Sequence, residues 1–328
     1  MTEPAERPLR AGVIGVGMMG LHHVRVWDES VDGVSLVAVA DPNAEAARSA
    51  VQARSARPFD DPDRMLAESG LDLVSVVAPT GLHVPVTLAA LEAGAHVLVE
   101  KPIAATHDEA AEMIAAAASA GRMLTVGHIE RFNPAILELK RRLEAGELGR
   151  IFQVSATRLG PFPARIRDVG VVVDLAPHDL DVFRFILDDE PVRVFAEAER
   201  RVHTDHEDLF TGTMRFSNGA IGLLNINWLT PIKQRLLSVT GERGMFVADY
   251  LTQELTFHAD GESTPCPVER EEPLRVELRE FAQAVRDGGP PPVDPRDAVI
   301  AVLLARRMVE SALIGEAISG EALMRELS

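Results

Sequence analysis

The sequence predicts an α/β protein, with a parallel sheet flanked by helices in its first half and a large, open, mostly antiparallel sheet in its second. Three observations carry this expectation. From Arg10 to Gly127, short apolar runs alternate with helical stretches, the order that builds parallel βα units with helices on both faces. After Gly149 strand follows strand, and Ser217-Asn218-Gly219 places an Asn-Gly hairpin signal between two of them. At 328 residues the chain is longer than one average domain. The change of period sets the expected boundary between residues 1–127 and 128–328.

Composition narrows the class of protein. With 46% hydrophobic and 25% charged residues, and no apolar run approaching about 18 residues, a globular protein without a membrane span is expected. The first apolar stretch, Ala11 to Gly20, is broken by four glycines and followed by no cleavage pattern, so it reads as structure and not as an export signal. Cys266 is the only cysteine, which rules out an internal disulfide and suits a cytoplasmic protein. The net charge of −17 without a long basic block disfavours nucleic acid and anionic membranes as partners. A local arginine cluster can still hold a small anion, because screening over about 8 to 10 Å hides distant charge.

Taken in order, the first strand, Arg10 to Gly15, opens directly into Gly15-Val16-Gly17-Met18-Met19-Gly20. A helix from Leu21 to Glu29 and a strand from Leu36 to Ala40 follow, so the G-x-G-x-x-G pattern sits inside a βαβ unit. Gly15 permits the tight turn, Gly17 lets backbone approach a pyrophosphate, and Gly20 lets helix and strand pack closely, with Met18 and Met19 between them. Asp41 ends the second strand at the spacing expected for a carboxylate on the ribose hydroxyls, which favours NAD over NADP. The alternative for Asp41 is capping of the helix Ala44 to Arg54.

Helices and strands continue to alternate. A strand from Leu71 to Ala78 is broken by Pro79-Thr80-Gly81-Leu82-His83, and a helix from Val84 to Ala93 follows. The next strand, Val97-Leu98-Val99, ends in Glu100-Lys101-Pro102. Lys101 is one of only three lysines among thirty-three basic residues, and lysine, unlike arginine, can lose its proton. An isolated Glu-Lys pair could merely mark where a strand meets solvent. Gly15, Asp41, Thr80 and Lys101 all fall at strand ends, however, and ligands of parallel sheets bind beyond the carboxyl ends of the strands.

In the second half, Gly127-His128-Ile129-Glu130-Arg131-Phe132-Asn133-Pro134 leads into a helix from Ala135 to Ala145. The other informative stretch is Asp168 to Asp181. A helix is expected from about Leu175 to Asp188, with Pro177 tolerated in its first turn. Asp174 and His178 are four apart and share one side of that turn. The helix dipole favours a neutral imidazole there, the form a general base requires. The alternative makes Asp174 an N-cap and His178 a packing residue. No further His or Cys stands at ligand spacing, so no metal is expected.

Together, Gly15 to Gly20, Asp41, Pro79-Thr80 with His83, Glu100-Lys101-Pro102, and Asp174 with His178 resemble the glucose-fructose oxidoreductase, inositol dehydrogenase and MocA (Gfo/Idh/MocA) family over almost the whole chain. The resemblance implies an N-terminal Rossmann NAD-binding domain and a C-terminal α/β domain that joins sheet to sheet in homodimers or homotetramers. It implies that Lys101 and His178 flank the carbon that exchanges hydride, and that Thr80, His83 and Glu100 lie at the cofactor; many members carry Asn at the position of Thr80. Within the family, Gly127 to Pro134 and Gly160 to Gly170 resemble the UDP-N-acetylglucosamine 3-dehydrogenase branch. That implies substrate binding by Glu130, Arg131, Asn133, Arg165 and Arg167, the arginines supplying forked donors for a diphosphate. The alternative pairs those arginines with Asp168 or Glu130.

Overall fold

The computed structural model describes residues 7–163, 169–202 and 205–325. Its first sheet is built by the glycine-bounded apolar runs read above. In chain order the elements are β1 (Leu9–Ile14), α1 (Met18–Glu29), β2 (Val34–Ala40), α2 (Ala44–Ala50), β3 (Arg57–Phe59), α3 (Pro62–Ser69), β4 (Leu73–Val76), α4 (His83–Glu92), β5 (His96–Glu100), α5 (His107–Ala120) and β6 (Leu124–Gly127). All neighbours pair in parallel, in the order β3-β2-β1-β4-β5-β6. The chain reverses its direction of travel across the sheet between β1 and β4, the switch point at which such sheets bind ligands. Local chemistry fixes the helix starts: Asn43 caps α2, Asp61 caps α3, and Thr106 with Glu109 forms a capping box on α5.

The second sheet is longer than expected. It follows α6 (Pro134–Glu144) and comprises β7 (Ile151–Pro161), then, after α7 (Val171–Leu187), β8 (Pro191–Glu199), β9 (Leu209–Phe216), β10 (Ile221–Asn227), β11 (Leu229–Gly241), β12 (Gly244–Asp249), β13 (Glu254–Ala259) and β14 (Glu262–Cys266). The helices α8 (Pro273–Asp287) and α9 (Pro295–Ile314) precede a short β15 (Ile318–Ser319). Nine strands pair in the order β14-β13-β12-β11-β7-β10-β9-β8-β15, and within this sheet only β10 and β7 run parallel. The Asn-Gly hairpin joins β9 to β10, with Gly219 at φ 91° and its N–H donating to the Phe216 carbonyl at 3.0 Å. One sheet face carries the core, where Val154, Ala156, Leu224, Leu237, Val239 and Phe246 meet Ile136 of α6, Phe183 of α7 and Met308 of α9.

The expected domain boundary needs correction. The chain divides into residues 1–129 with 272–299, and residues 130–271 with 300–328. The first break falls beside the expected one, but α8 returns to the first unit. The cause is its apolar face: Leu274, Leu278, Phe281 and Ala282 are buried in the same core as Trp27, Val39 and Leu73, and the rings of Phe281 and Trp27 lie 6.4 Å apart.

A second correction concerns α7. It starts at Val171, not near Leu175, so Pro177 lies inside the helix and denies the Val173 carbonyl its helical donor. Asp174 is not the cap. Gly170 holds that position, while the carbonyl of Glu207 accepts from the Val171 N–H at 2.9 Å and its Oε1 from the Val172 N–H at 3.2 Å. A Cβ on Gly170 would overlap the Glu207 carboxylate.

Candidate active site

The glycine loop begins at the switch point. Gly15 adopts φ 92°, and a Cβ there would sit 2.6 Å from the Val77 carbonyl at the end of β4. At Gly20 a Cβ would overlap the Gly15 carbonyl oxygen, so only glycine lets α1 start this close to β1. Gly17 differs from both, because a Cβ there would meet no heavy atom within 4 Å. That open face, at the N-cap of α1, is where unpaired N–H groups can meet a diphosphate. Met18 and Leu21 beside it are exposed, whereas Met19 packs against the core.

Asp41 braces this loop. Its Oδ2 accepts from the Val16 N–H at 2.9 Å and its Oδ1 from the Asn43 N–H at 2.9 Å. Asn43, not Asp41, caps α2. Each carboxylate oxygen retains a second lone-pair direction, so Asp41 can also accept from ribose hydroxyls. The residues present therefore fit NAD: Gly15, Gly17 and Gly20 for its diphosphate and Asp41 for its ribose.

At the end of β5 the backbone of Lys101 is held from both sides. The Glu100 carboxylate accepts from the Lys101 N–H at 3.2 Å, and its other oxygen lies 3.1 Å from Nε2 of the fully buried His23 on α1. Room for that carboxylate comes from Gly127 on β6, where a Cβ would approach Glu100 Oε1 to 2.9 Å. On the other side His83, only 1% exposed, places Nδ1 2.9 Å from the Pro102 carbonyl and Nε2 2.9 Å from the Ala78 carbonyl. Both ring nitrogens of His83 thus face backbone carbonyls, linking the ends of β4 and β5. Thr80 is half-buried in the short turn Thr80–Leu82. Lys101 is itself half-buried.

In the second unit, α7 carries two kinds of polar residue on different faces. Asp174, Leu175 and His178 form a half-exposed stripe, while Val172, Ala176, Asp179 and Leu180 are buried. His178 stands two turns into the helix, beyond the first turn where the dipole acts, so that sequence argument does not apply. Beneath the stripe, Arg158 of β7 grips Asp179 through Nε at 2.7 Å and Nη2 at 2.9 Å, and reaches Glu130 through Nη1 at 2.9 Å. The Tyr250 ring lies 5.3 Å from this guanidinium. Burial, reinforced by Asp179 and Glu130, pushes the Tyr250 phenol well above its usual range.

The expected substrate set separates. Arg131 is 7% exposed and clamps Asp181 of α7, Nε to Oδ2 at 2.7 Å and Nη2 to Oδ1 at 2.6 Å. Asn133 is 2% exposed; its amide donates to the Tyr250 carbonyl at 3.0 Å and its Oδ1 caps α6. Both side chains are thus engaged within the protein, and the described carboxylate that Arg131 clamps is Asp181. Glu130 is bound to Arg158. Arg165 and Arg167 lie outside the described residues. The sequence reading overlooked Arg158 and Asp179, although Arg158 follows Val154 and Ala156 in the inward phase of β7.

With its glycine loop at the switch point and a strand-end carboxylate bracing it, the first unit is a dinucleotide-binding domain of the dehydrogenase type. Residues 9–128 match the oxidoreductase family described as an NAD-binding Rossmann fold, and residues 136–247 match the GFO/IDH/MocA C-terminal domain. The chain is 32% identical to UDP-N-acetylglucosamine 3-dehydrogenase of Acidithiobacillus ferrooxidans, over 93% of this chain and 98% of that one. It is 30% identical to scyllo-inositol 2-dehydrogenase (NAD(+)) of Bacillus subtilis, over 90% and 91%. A solved structure of the Acidithiobacillus ferrooxidans UDP-N-acetylglucosamine 3-dehydrogenase superposes with a TM-score of 0.85 at 30% identity, covering 93% of this chain and 98% of that one. The chain belongs to the Gfo/Idh/MocA oxidoreductase family. It is an NAD-dependent dehydrogenase of the sugar and cyclitol type.

Proposed function

We propose that this enzyme oxidises the 3-hydroxyl of a nucleotide sugar, UDP-N-acetylglucosamine, to the 3-keto sugar. The reading is carried by the end-to-end likeness to UDP-N-acetylglucosamine 3-dehydrogenase, 98% of whose length is spanned. His178 takes the hydroxyl proton, Asp174 one turn away orients it or binds sugar hydroxyls, and the Lys101 ammonium stabilises the developing alkoxide. Lys101 can also serve as the base, since an amine on a rigid strand end needs only to shed its proton. NAD, when bound, supplies the acceptor for the hydride that leaves the carbinol carbon. The fixed backbone of Lys101 and the open stripe of α7 support these assignments.

The same reading makes the protein a cytoplasmic homodimer or homotetramer joined through the second sheet. On the face opposite that core, one row, Leu223, Ser155, Ser238, Val247 and Thr256, is half-buried and uncharged, a surface suited to a second sheet. No described helix is long and apolar enough to cross a membrane.

The likeness to scyllo-inositol 2-dehydrogenase over 91% of its length favours a second reading, oxidation of a cyclitol. Absorbance of reduced nicotinamide decides between them, with UDP-N-acetylglucosamine, myo-inositol, scyllo-inositol and free N-acetylglucosamine in parallel and an aminotransferase present to remove 3-keto product. Reduction with the nucleotide sugar, abolished in His178→Ala, supports the proposal. Reduction with a cyclitol alone overturns it in favour of the second reading.

A further inference from the structure

One half-buried arginine of the second unit is compensated differently from Arg131, Arg142, Arg158 and Arg184, each of which holds a carboxylate. Arg235 on β11 lies directly opposite Arg158 on β7. Cross-strand partners leave a sheet on the same face, so two guanidinium groups stand side by side beneath α7. Arg158 is neutralised by Asp179 and Glu130. Arg235 instead donates through Nη1 to the carbonyls of Leu159 at 2.6 Å and Gln234 at 2.7 Å. Its Nε and Nη2 donate to no atom of the described residues, and no described carboxylate forms an ion pair with it.

The electrostatics agree with this geometry. Burial and then the neighbouring Arg158 charge push the Arg235 guanidinium down to about 10, and Asp179, Glu130 and Asp174 offset this only in part. A cation so placed is stabilised by an added anion. Gly160 on β7 contributes no side chain beside this guanidinium, and a Cβ there would lie 3.9 Å from Lys233 and 4.0 Å from Arg235 Nη1 without a clash. Lys233, exposed two residues before Arg235, adds a second positive charge. The charge of Asp174 is felt at Arg235, so the guanidinium stands within electrostatic reach of the stripe of α7 that carries Asp174 and His178.

We infer that Arg235, with Lys233 at its margin, is the anion-binding and specificity-determining element of the substrate site and receives the phosphate groups of a nucleoside diphosphate sugar. The identity of the sugar rests on the function proposed above; the need for an anion rests on Arg235 and its surroundings. A planar fork with two uncommitted donor nitrogens suits paired phosphate oxygens, whereas Arg131 has its fork closed on Asp181.

The test compares wild type, Arg235→Gln and Arg235→Lys by steady-state kinetics with UDP-N-acetylglucosamine, by UDP binding in a calorimeter and by thermal melting. Loss of charge-assisted hydrogen bonds to phosphate raises KM for the nucleotide sugar and Kd for UDP about tenfold or more in Arg235→Gln, with a smaller change in kcat. Arg235→Lys recovers part of that loss. The melting temperature of Arg235→Gln does not fall, because a like charge beside Arg158 is gone; a purely structural arginine would lower it and leave KM unchanged. Wild-type turnover of UDP-N-acetylglucosamine with unchanged KM and UDP affinity in Arg235→Gln overturns the inference and leaves the proposed function standing. Turnover of a cyclitol alone removes the proposed function, and UDP binding then decides the inference: binding by wild type that is lost in Arg235→Gln supports it, and no UDP binding overturns it. Should Arg235→Gln fail to fold, Arg235→Lys gives the same readings, with weakened UDP binding expected and unchanged binding overturning the inference.

Discussion

His23 Nε2 and Glu100 Oε1 lie 3.1 Å apart, joining the helix that starts at the glycine loop to the residue that precedes Lys101. The imidazole is fully buried and the carboxylate 14% exposed, and the second carboxylate oxygen holds the Lys101 N–H. The pair thus fixes where the strand ends and, with His83 on the Pro102 carbonyl, the course of the chain on both sides of the lysine. Lys101→Ala is expected to abolish turnover. Glu100→Ala keeps the ammonium but loosens its support, and displacement by about 1 Å can cost roughly 100-fold in rate. Turnover is therefore expected to fall between about tenfold and 100-fold while NAD affinity stays within a few-fold. His23→Leu should cost as much, His23→Gln less, and the double variant no more than Glu100→Ala alone, since coupled residues are not additive. Full additivity in that cycle would separate His23 from the lysine.

Two of the loop glycines, Gly20 and Gly17, are expected to yield opposite phenotypes when changed to alanine. At Gly20 the new methyl meets the Gly15 carbonyl, a backbone atom that cannot move aside. A loss of about 3 kcal/mol of stability is expected, in the range of strained backbone sites. At Gly17 the methyl meets nothing, so the melting temperature should be unchanged, while NAD binding weakens because the methyl occupies the face the diphosphate approaches. Melting curves with and without NAD separate the two effects. Normal NAD affinity in Gly17→Ala would move the diphosphate elsewhere.

What could be read from the chain depended on the range of the interaction. The glycine loop, Asp41 and the Glu100-Lys101-Pro102 turn are local, and their spacing was enough to set them at strand ends. The ion pairs under α7 are not local. Arg158 meets Asp179 and Glu130 across different elements, and no spacing rule links a strand residue to a particular helix carboxylate. The inward phase of Arg158 after Val154 and Ala156 was a usable sign that its charge is buried and must be paired. The polar, mostly exposed β14 lacks alternation of its own and is a strand because β13 offers it an edge. The α7 start at Val171 was hidden because Glu207, which accepts from its first two N–H groups, arrives from a distant loop. For α8 the apolar stripe was legible; which of two cores would take it was not.

The Arg131–Asp181 pair separates a structural arginine from a substrate-binding one. Both side chains are nearly sealed from water, at 9% and 1% exposure. Removing one partner of a buried pair costs about 3 to 5 kcal/mol. Asp181→Ala and Arg131→Leu should each lower stability by that order, and the double variant Arg131→Leu with Asp181→Leu should recover much of it. Denaturant melts measure the cost. If Arg131→Leu melts normally and instead raises KM for the nucleotide sugar, Arg131 belongs to the substrate site after all.

His96 makes part of the stability of the first unit depend on pH. Its Nδ1 accepts from the Met123 N–H at 2.9 Å, a bond that only the neutral ring can receive. Burial, and then the charge of Arg122, hold its pKa below the ordinary 6.5, with Asp72 opposing. Between the folded value and 6.5 the unfolded chain binds more protons than the folded one, so stability rises with pH across that interval. The contribution of His96 is complete above 6.5 and declines as the pH falls through the folded pKa. His96→Asn keeps an acceptor oxygen for Met123 and cannot be charged. Its melting temperature should therefore fall less than that of wild type between about pH 7.5 and pH 5.5, whatever the other histidines contribute to both proteins. Equal slopes in the two proteins would show that this imidazole does not sense acid, and the Met123 bond would then have to survive protonation by exchanging its acceptor.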